Sequence, residues 1–426
     1  MTELKRELGV REAVALVVTS IVGTTIFIIP GVVAAKAGPL SILGWVISGA
    51  LTVPMALCFA ELAGQYEKAG GPYVYVGDAF GRLLSLIVGW SLTVVSWAVI
   101  SLLAVGFALY SSYIFHSSQQ FQMLIAIAAI LFFTLLNYLG VKLSAAALNL
   151  LALGTVAILL VFILGSLQFV RSSNFTPFAP YGWLALGPVL VLTFVPYMGL
   201  EVVALSAEEF KNPRRDIPVG ILVGTIIVIT IYVLVSVASL GTIGWQRLGA
   251  SSAPIAEAAE FAFGKLGGFL IDIGALIIIL GCINCSIFTF SRLTYAMGRD
   301  RAIPSLFATL DTKYSTPRIA LLFQAVLSTI LVISGTFEKL AYLTAYITLL
   351  IYVIIFLAYV RLRNKAPMSK GFKAPFGNVM AIFAIVFCAI LLAYSDLWAA
   401  VWGSLLTLLS IPIYCVQSLV KAYKKS

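Results

Sequence analysis

Apolar runs of about 20 residues recur along this chain and constrain its fold more than any other feature. Each run is long enough to cross a hydrocarbon core about 30 Å thick. Of the 426 residues, 61% are hydrophobic and only 10% are charged, whereas a soluble domain carries roughly 25% charged residues. We therefore predict an integral membrane protein.

The runs predict helices, because backbone groups in lipid must be satisfied within a helix or a closed barrel. Stretches such as 221–234 and 319–333 are continuously apolar, without the alternation of barrel strands. We predict an all-α membrane protein with about 12 transmembrane helices, at residues 12–36, 40–63, 83–110, 121–139, 143–169, 184–206, 217–240, 267–291, 318–334, 340–360, 378–395 and 397–419.

The basic residues predict the orientation. With the N-terminus in the cytoplasm, 22 of the 27 Lys and Arg residues fall on the inner side and 5 on the outer side. The positive-inside rule then predicts a multi-pass protein of the cell (plasma) membrane with both termini cytoplasmic. The net charge of +10 is thus a topology signal and an attraction to membrane lipids, and we expect no nucleic acid partner.

Two predicted spans contain residues that interrupt a helix. The first has Gly23 at its middle, and the sixth has Pro196 and Gly199. The first enters from inside and the sixth from outside, so two five-helix halves would have opposite topology. Paired broken helices in an inverted repeat indicate a transporter site near the bilayer midplane. The alternative is that these residues only kink the helices.

Five stretches, taken in order, resemble the amino acid–polyamine–organocation (APC) superfamily, most closely its L-type amino acid transporter branch. They are GTTIF at 23–27, AEL at 60–62 with GGPYVY at 70–75, EEFKNPRRDIP at 208–218, NCSIFT with SR at 284–292, and GRDRAIP at 298–304.

The resemblance implies a LeuT-like fold and a transport function. Helices 1–5 (residues 1–170) and 6–10 (171–362) would form the inverted repeats, and 363–426 two C-terminal helices with a basic tail. We expect secondary active transport of amino acids by alternating access, as exchanger or ion-coupled symporter. The alternative is a polyamine or other organic-cation transporter or antiporter. Neither an enzyme nor a channel is expected, since no catalytic constellation and no pore-lining charge ring appear, and no cofactor is predicted.

A site for a zwitterionic amino acid needs donors for the carboxylate and acceptors for the ammonium. Unwound backbone supplies both, and the start of the outer half of helix 1 adds a positive dipole end. Thr25 stands where the family has a second glycine, which reshapes the pocket. The predicted substrate-binding residues are Val22, Gly23, Thr24, Thr25, Ile26, Phe194, Val195, Pro196, Tyr197, Gly199, Asn284 and Ser286.

A charged acid within the membrane is costly, so Glu201 is a candidate functional residue. We predict that it either takes part in gating or ion coupling during transport, or braces the broken sixth helix. For coupling by H⁺ or Na⁺ we consider Thr155, Thr19 and Thr289. Some relatives in the superfamily carry a lysine in helix 5, but residues 143–170 of this chain include no charged residue, so that proton mechanism is not expected here. Asp272 and Asp396 are expected to be solvated.

The remaining features have simple interpretations. A short helix at 254–263 is predicted as an outer lid or a cover. All five cysteines fall within predicted spans, so we expect no disulfide-linked partner subunit, and Cys282 with Cys285 indicates helix packing rather than a metal site. The single histidine, His116, excludes a histidine-rich metal site.

Overall fold

The computed structural model describes residues 8–66, 71–115, 118–140, 145–201, 203, 210–311, 314, 316–365 and 371–423. The sequence predictions that concern His116, Glu208 and Glu209 lie outside these residues, as do residues 204–206 at the end of the predicted sixth span.

Helices dominate the described residues, as predicted. They are α1 (Val10–Ile21), α2 (Thr25–Ala37), α3 (Ser41–Gln65), α4 (Pro72–Phe80), α5 (Arg82–Phe115), α6 (Gln119–Tyr138), α7 (Ala145–Ser166), α8 (Leu186–Phe194), α9 (Pro213–Ile243), α10 (Trp245–Ala250), α11 (Pro254–Arg299), α12 (Arg318–Ser334), α13 (Phe337–Lys365), α14 (Gly377–Ala393), α15 (Leu397–Leu408) and α16 (Ser410–Tyr423).

Within the described residues, seven helical segments are long and apolar enough to cross a membrane, and four shorter apolar helices accompany them. α12 coincides with the predicted ninth span. Large apolar side chains on α6, α7, α12 and α14 remain exposed on the outside of the bundle, as expected for helices that face lipid. The multi-pass helical membrane class is therefore confirmed.

α5 lies at the centre of the bundle, and most of its side chains are buried. It packs against α6, α11, α12 and α13. α5 and these partners form one layer of the bundle. A second layer is formed where α9 packs on both α1 and α3. These two layers bring the ends of α1, α2 and α8 into the interior.

α11 consists of two helical segments separated by Gly264, whose φ of 76° is non-helical. The first segment, residues 254–263, lies at the end of the bundle predicted to face outside, and we call it the outer arm. It confirms the predicted short helix, and Pro254 packs directly against Gly31 of α2.

A buried polar cluster joins three segments at the end of the bundle predicted to be cytoplasmic. Glu61 of α3 is 1% exposed and accepts hydrogen bonds from the Arg363 guanidinium at 2.8 Å and from the Ala374 amide at 2.9 Å. The Tyr359 phenol also donates to this carboxylate, and Arg363 donates to the Ala374 carbonyl. The cluster thus ties α3 and α13 to the segment that precedes α14.

Candidate functional site

The first predicted span is interrupted where the sequence indicates it. α1 ends at Ile21 and α2 begins at Thr25. The Gly23 amide donates to the Ile21 carbonyl at 2.9 Å, and the Phe27 amide donates to the Thr24 carbonyl at 3.0 Å. The amides of Thr25 and Ile26 open α2, where no preceding turn can accept from them. They are the first amides of a helix that begins in the interior, a position that suits an anion.

Thr24 stands at this interruption with 0% exposure, and its hydroxyl has no hydrogen-bond partner. A buried hydroxyl without a partner costs free energy. Thr25 is nearly buried as well. Val22, next to Gly23, is buried on the same side of the break.

The sixth predicted span is interrupted at Val195, Pro196 and Tyr197, which form a single tight turn after α8. Pro196 has no amide to continue the helix, and Gly199 has a φ of 108°, which a side chain would disfavour. A Cβ on Gly199 would lie 3.1 Å from the Ser20 carbonyl oxygen. The two breaks therefore face each other at close range.

Tyr232 of α9 connects the two breaks, and the sequence analysis did not identify it. Its phenol oxygen lies 2.9 Å from the Ile21 carbonyl and 3.3 Å from the Pro196 carbonyl. Its side chain is fully buried. A buried phenol in the middle of an apolar helix usually has a hydrogen-bond partner. The position of Tyr232 within the apolar run 221–234 is therefore the sequence feature that could have identified it.

Glu201 lies just after the second break and is held by Tyr352 of α13. The Tyr352 phenol donates to Oε2 of Glu201 at 2.6 Å, and the Gly199 amide reaches both the Tyr352 oxygen, at 3.4 Å, and the carboxylate. The carboxylate thus joins the backbone at the second break to α13.

The two aromatic candidates pack against neighbouring helices. Phe194 makes edge contacts with Tyr352 and Phe387. The Tyr197 phenol donates to the Trp45 carbonyl at 3.1 Å, and its ring contacts Tyr232. Both side chains are therefore already engaged by the surrounding layers.

The α11 candidates are dispersed. The Asn284 carbonyl oxygen accepts from the Asn137 amide of α6 at 2.8 Å, so this side chain joins two helices. Ser286 is half-buried, and the Thr289 hydroxyl lies 4.0 Å from the Cys285 sulfur.

The coupling candidates Thr19, Thr155 and Thr289 lie on α1, α7 and α11, respectively. The Thr19 hydroxyl donates back to the Ala15 carbonyl of its own helix at 2.6 Å, and Thr155 is buried on α7. Asp396 is exposed and caps α15, as expected. The expectation for Asp272 was wrong: it is 0% exposed, because α11 turns this face toward α5 and not toward solvent.

Comparison with known proteins places these features in context. The profile of the family described as "Amino acid permease" matches residues 8–419. The branched-chain amino acid permease BcaP of Bacillus subtilis is 29% identical over 409 residues, covering 91% of this chain and 88% of the relative. The methylthioribose transporter of Bacillus subtilis is 29% identical, covering 90% and 87%. The human large neutral amino acids transporter small subunit 2 is 28% identical, covering 96% and 80%. The L-type resemblance is thereby supported.

Proposed function

Because the chain belongs to the amino acid permease family, we propose that it transports amino acids across the cell membrane by alternating access, without chemical turnover. The observation that carries this proposal is the pair of helix breaks that face each other inside the bundle. One break presents amides at the start of α2, and the other presents the Pro196 carbonyl beside Gly199.

The donors and acceptors suit the two ends of a zwitterion. The α-carboxylate would bind the Thr25 and Ile26 amides, where the helix dipole is positive. The ammonium would bind carbonyls near Ile21 and Pro196, which share the single Tyr232 hydroxyl as a donor in this conformation. Backbone groups can thus hold both charges without a buried charged side chain from the protein.

Alternating access follows from the proposed inverted repeat. Each half would begin with a broken helix, and the helices that follow the breaks, α3 and α9, pack against each other. A bundle that contains the broken helices with α3 and α9 would then rock against a scaffold formed by the other helices. Transport would be exchange or symport with H⁺ or Na⁺, with both termini cytoplasmic.

A polyamine or other organic-cation transporter is the second candidate, favoured by Glu201. This carboxylate lies directly beyond the second break and needs only to exchange its Tyr352 hydrogen bond to bind a cation. Glu201→Gln would then remove uptake of cations while uptake of neutral amino acids continues. If neutral amino acids alone are transported by the unmodified protein, this second candidate is excluded.

Counterflow in proteoliposomes tests the primary proposal. Vesicles loaded with one unlabelled compound are diluted into a radiolabelled trace of the same compound, over a panel of neutral and cationic amino acids, polyamines and methylthioribose. We expect saturable accumulation with an amino acid. Linear, unsaturated entry would indicate a channel, and counterflow with methylthioribose alone would contradict the amino acid assignment.

A further inference from the structure

Asp272 is a buried acid that the proposed transport site does not use. Its exposure is 0%, and neither carboxyl oxygen has a hydrogen-bond partner in the described part of the chain. It lies on α11 seven residues after Lys265, about 10 Å along the helix at 1.5 Å per residue. That position is between the outer arm and the first break.

The phenols of Tyr110 and Tyr113 on α5 are the ionisable groups near Asp272. Tyr110 donates to the Phe27 carbonyl of α2 at 2.7 Å, and Tyr113 donates to Glu260 of the outer arm. Both phenols therefore use their protons elsewhere, and neither neutralises Asp272.

The other elements packed against α11 bring no free cation to this carboxyl group. α7 carries no ionisable residue, and on α11 itself Lys265 is exposed. Lys36 of α2 pairs with Glu338 at 2.7 Å, and Arg247 of α10 pairs with Glu257 at 2.6 Å. The ionisable residues of α6, α9 and α12 lie toward the middle or the other end of the bundle, away from Asp272. They are Tyr138, Arg214, Arg215, Asp216, Tyr232 and Arg318.

A carboxylate in such a place is unstable. Burial of an isolated charge without a partner is strongly unfavourable, and the group gains a proton instead. When water reaches the same group, hydration favours loss of that proton. An opening of the bundle that brings water to Asp272 would therefore change its protonation.

The outer arm supplies the moving part. Gly264 separates it from the rest of α11 and has no neighbour within 4 Å of its Cβ position. The arm folds back closely, since a Cβ on Gly268 would lie 2.7 Å from Glu260 Cβ. Movement of the arm would separate Glu260 from Tyr113 of α5 and open a path from water to Asp272.

We propose that Asp272 is a proton-binding residue that takes up one proton when the outer end of the bundle closes. In closing, the carboxylate forms an O–H bond with a proton from outside water; in reopening, this bond breaks and the proton returns to water. This proposal rests on the transport function proposed above. It identifies H⁺ as the ion that binds when the outer end of the bundle closes.

Uptake by the full chain in proteoliposomes, with the inside pH fixed and the outside pH varied, tests this proposal. The unmodified protein should take up substrate faster at lower outside pH, by up to about tenfold per pH unit for a one-proton step. Asp272→Asn mimics the protonated acid, so its uptake should not depend on outside pH. Asp396→Asn, the matched control at an exposed acid, should keep the dependence of the unmodified protein.

An Asp272→Asn profile that follows the unmodified protein would overturn the proposal. If Asp272→Asn does not accumulate, Asp272→Glu keeps an ionisable group on a longer side chain and should shift the pH midpoint; an unshifted midpoint also overturns it. Counterflow at one pH on both sides is the separate check, since its absence in the unmodified protein would reject the transport function itself.

Discussion

Tyr232 is the residue on which the two helix breaks converge. Tyr232→Phe keeps the ring but removes the hydroxyl that lies within hydrogen-bond distance of both the Ile21 and the Pro196 carbonyls. A buried polar group left without its partner costs about 1–3 kcal/mol, so we expect a lower midpoint in a thermal-unfolding assay. Tyr181→Phe, at an exposed tyrosine, is the control. Equal midpoints for both variants would contradict the bridging role.

Residues that act through local chemistry could be predicted from the sequence. Pro196 and Gly199 interrupt a helix because of their own backbones, wherever the rest of the chain lies. Tyr232 and Asn137 could not be assigned roles, because their partners lie far away in the sequence. The burial of Asp272 was missed for the same reason, since it depends on which face of α11 meets α5.

At the scale of the element, the second break depends on the left-handed backbone of Gly199. Gly199→Ala should lower stability by about 1–2 kcal/mol through this backbone conformation, and further because its Cβ would crowd the Ser20 carbonyl. Gly182→Ala is the matched control, with a φ of 78° and nothing within 4 Å. Unfolding midpoints should fall more for Gly199→Ala; an equal fall would show that the contact between the breaks contributes nothing.

The Glu61 cluster fixes the ends of three segments. Glu61→Gln removes one charge of a buried ion pair and leaves Arg363 without its partner, which costs about 3–5 kcal/mol. Glu338→Gln is the control, because its pair with Lys36 is partly exposed, at 40% and 33%, and such pairs are worth up to about 1 kcal/mol. Thermal unfolding should separate the two variants clearly, and similar midpoints would refute the role of the cluster.

Hydropathy predicts where a helix crosses lipid, not where it ends. The span predicted at 318–334 coincides with α12 because polar residues and prolines border it. The eighth span was predicted to end at 291, whereas α11 continues to Arg299, since a helix can extend into water with charged residues. The predicted span 397–419 is divided into α15 and α16, because Pro412 cannot bond back to Leu408.

At the scale of the whole molecule, the distribution of basic residues predicts the orientation. Single cysteines at Lys373 and Ser395, introduced into a cysteine-free chain, lie at opposite ends of α14. In intact cells, a membrane-impermeant maleimide should label the cysteine at position 395 and not that at 373 until the cells are opened. The reverse pattern would invert the proposed topology and place both termini outside.

The Glu61 cluster also bears on how much of the chain forms one folding unit. Ala374 belongs to the segment after α13, yet its amide and carbonyl complete the shell around a carboxylate from α3. Gly377 lies so close to Arg363 and Tyr359 that no larger side chain fits there. A chain that ended at Lys365 would therefore lose the Ala374 amide, which donates to the Glu61 carboxylate of α3. The segment that leads into α14 is for this reason a component of the packed core rather than a detachable addition to it.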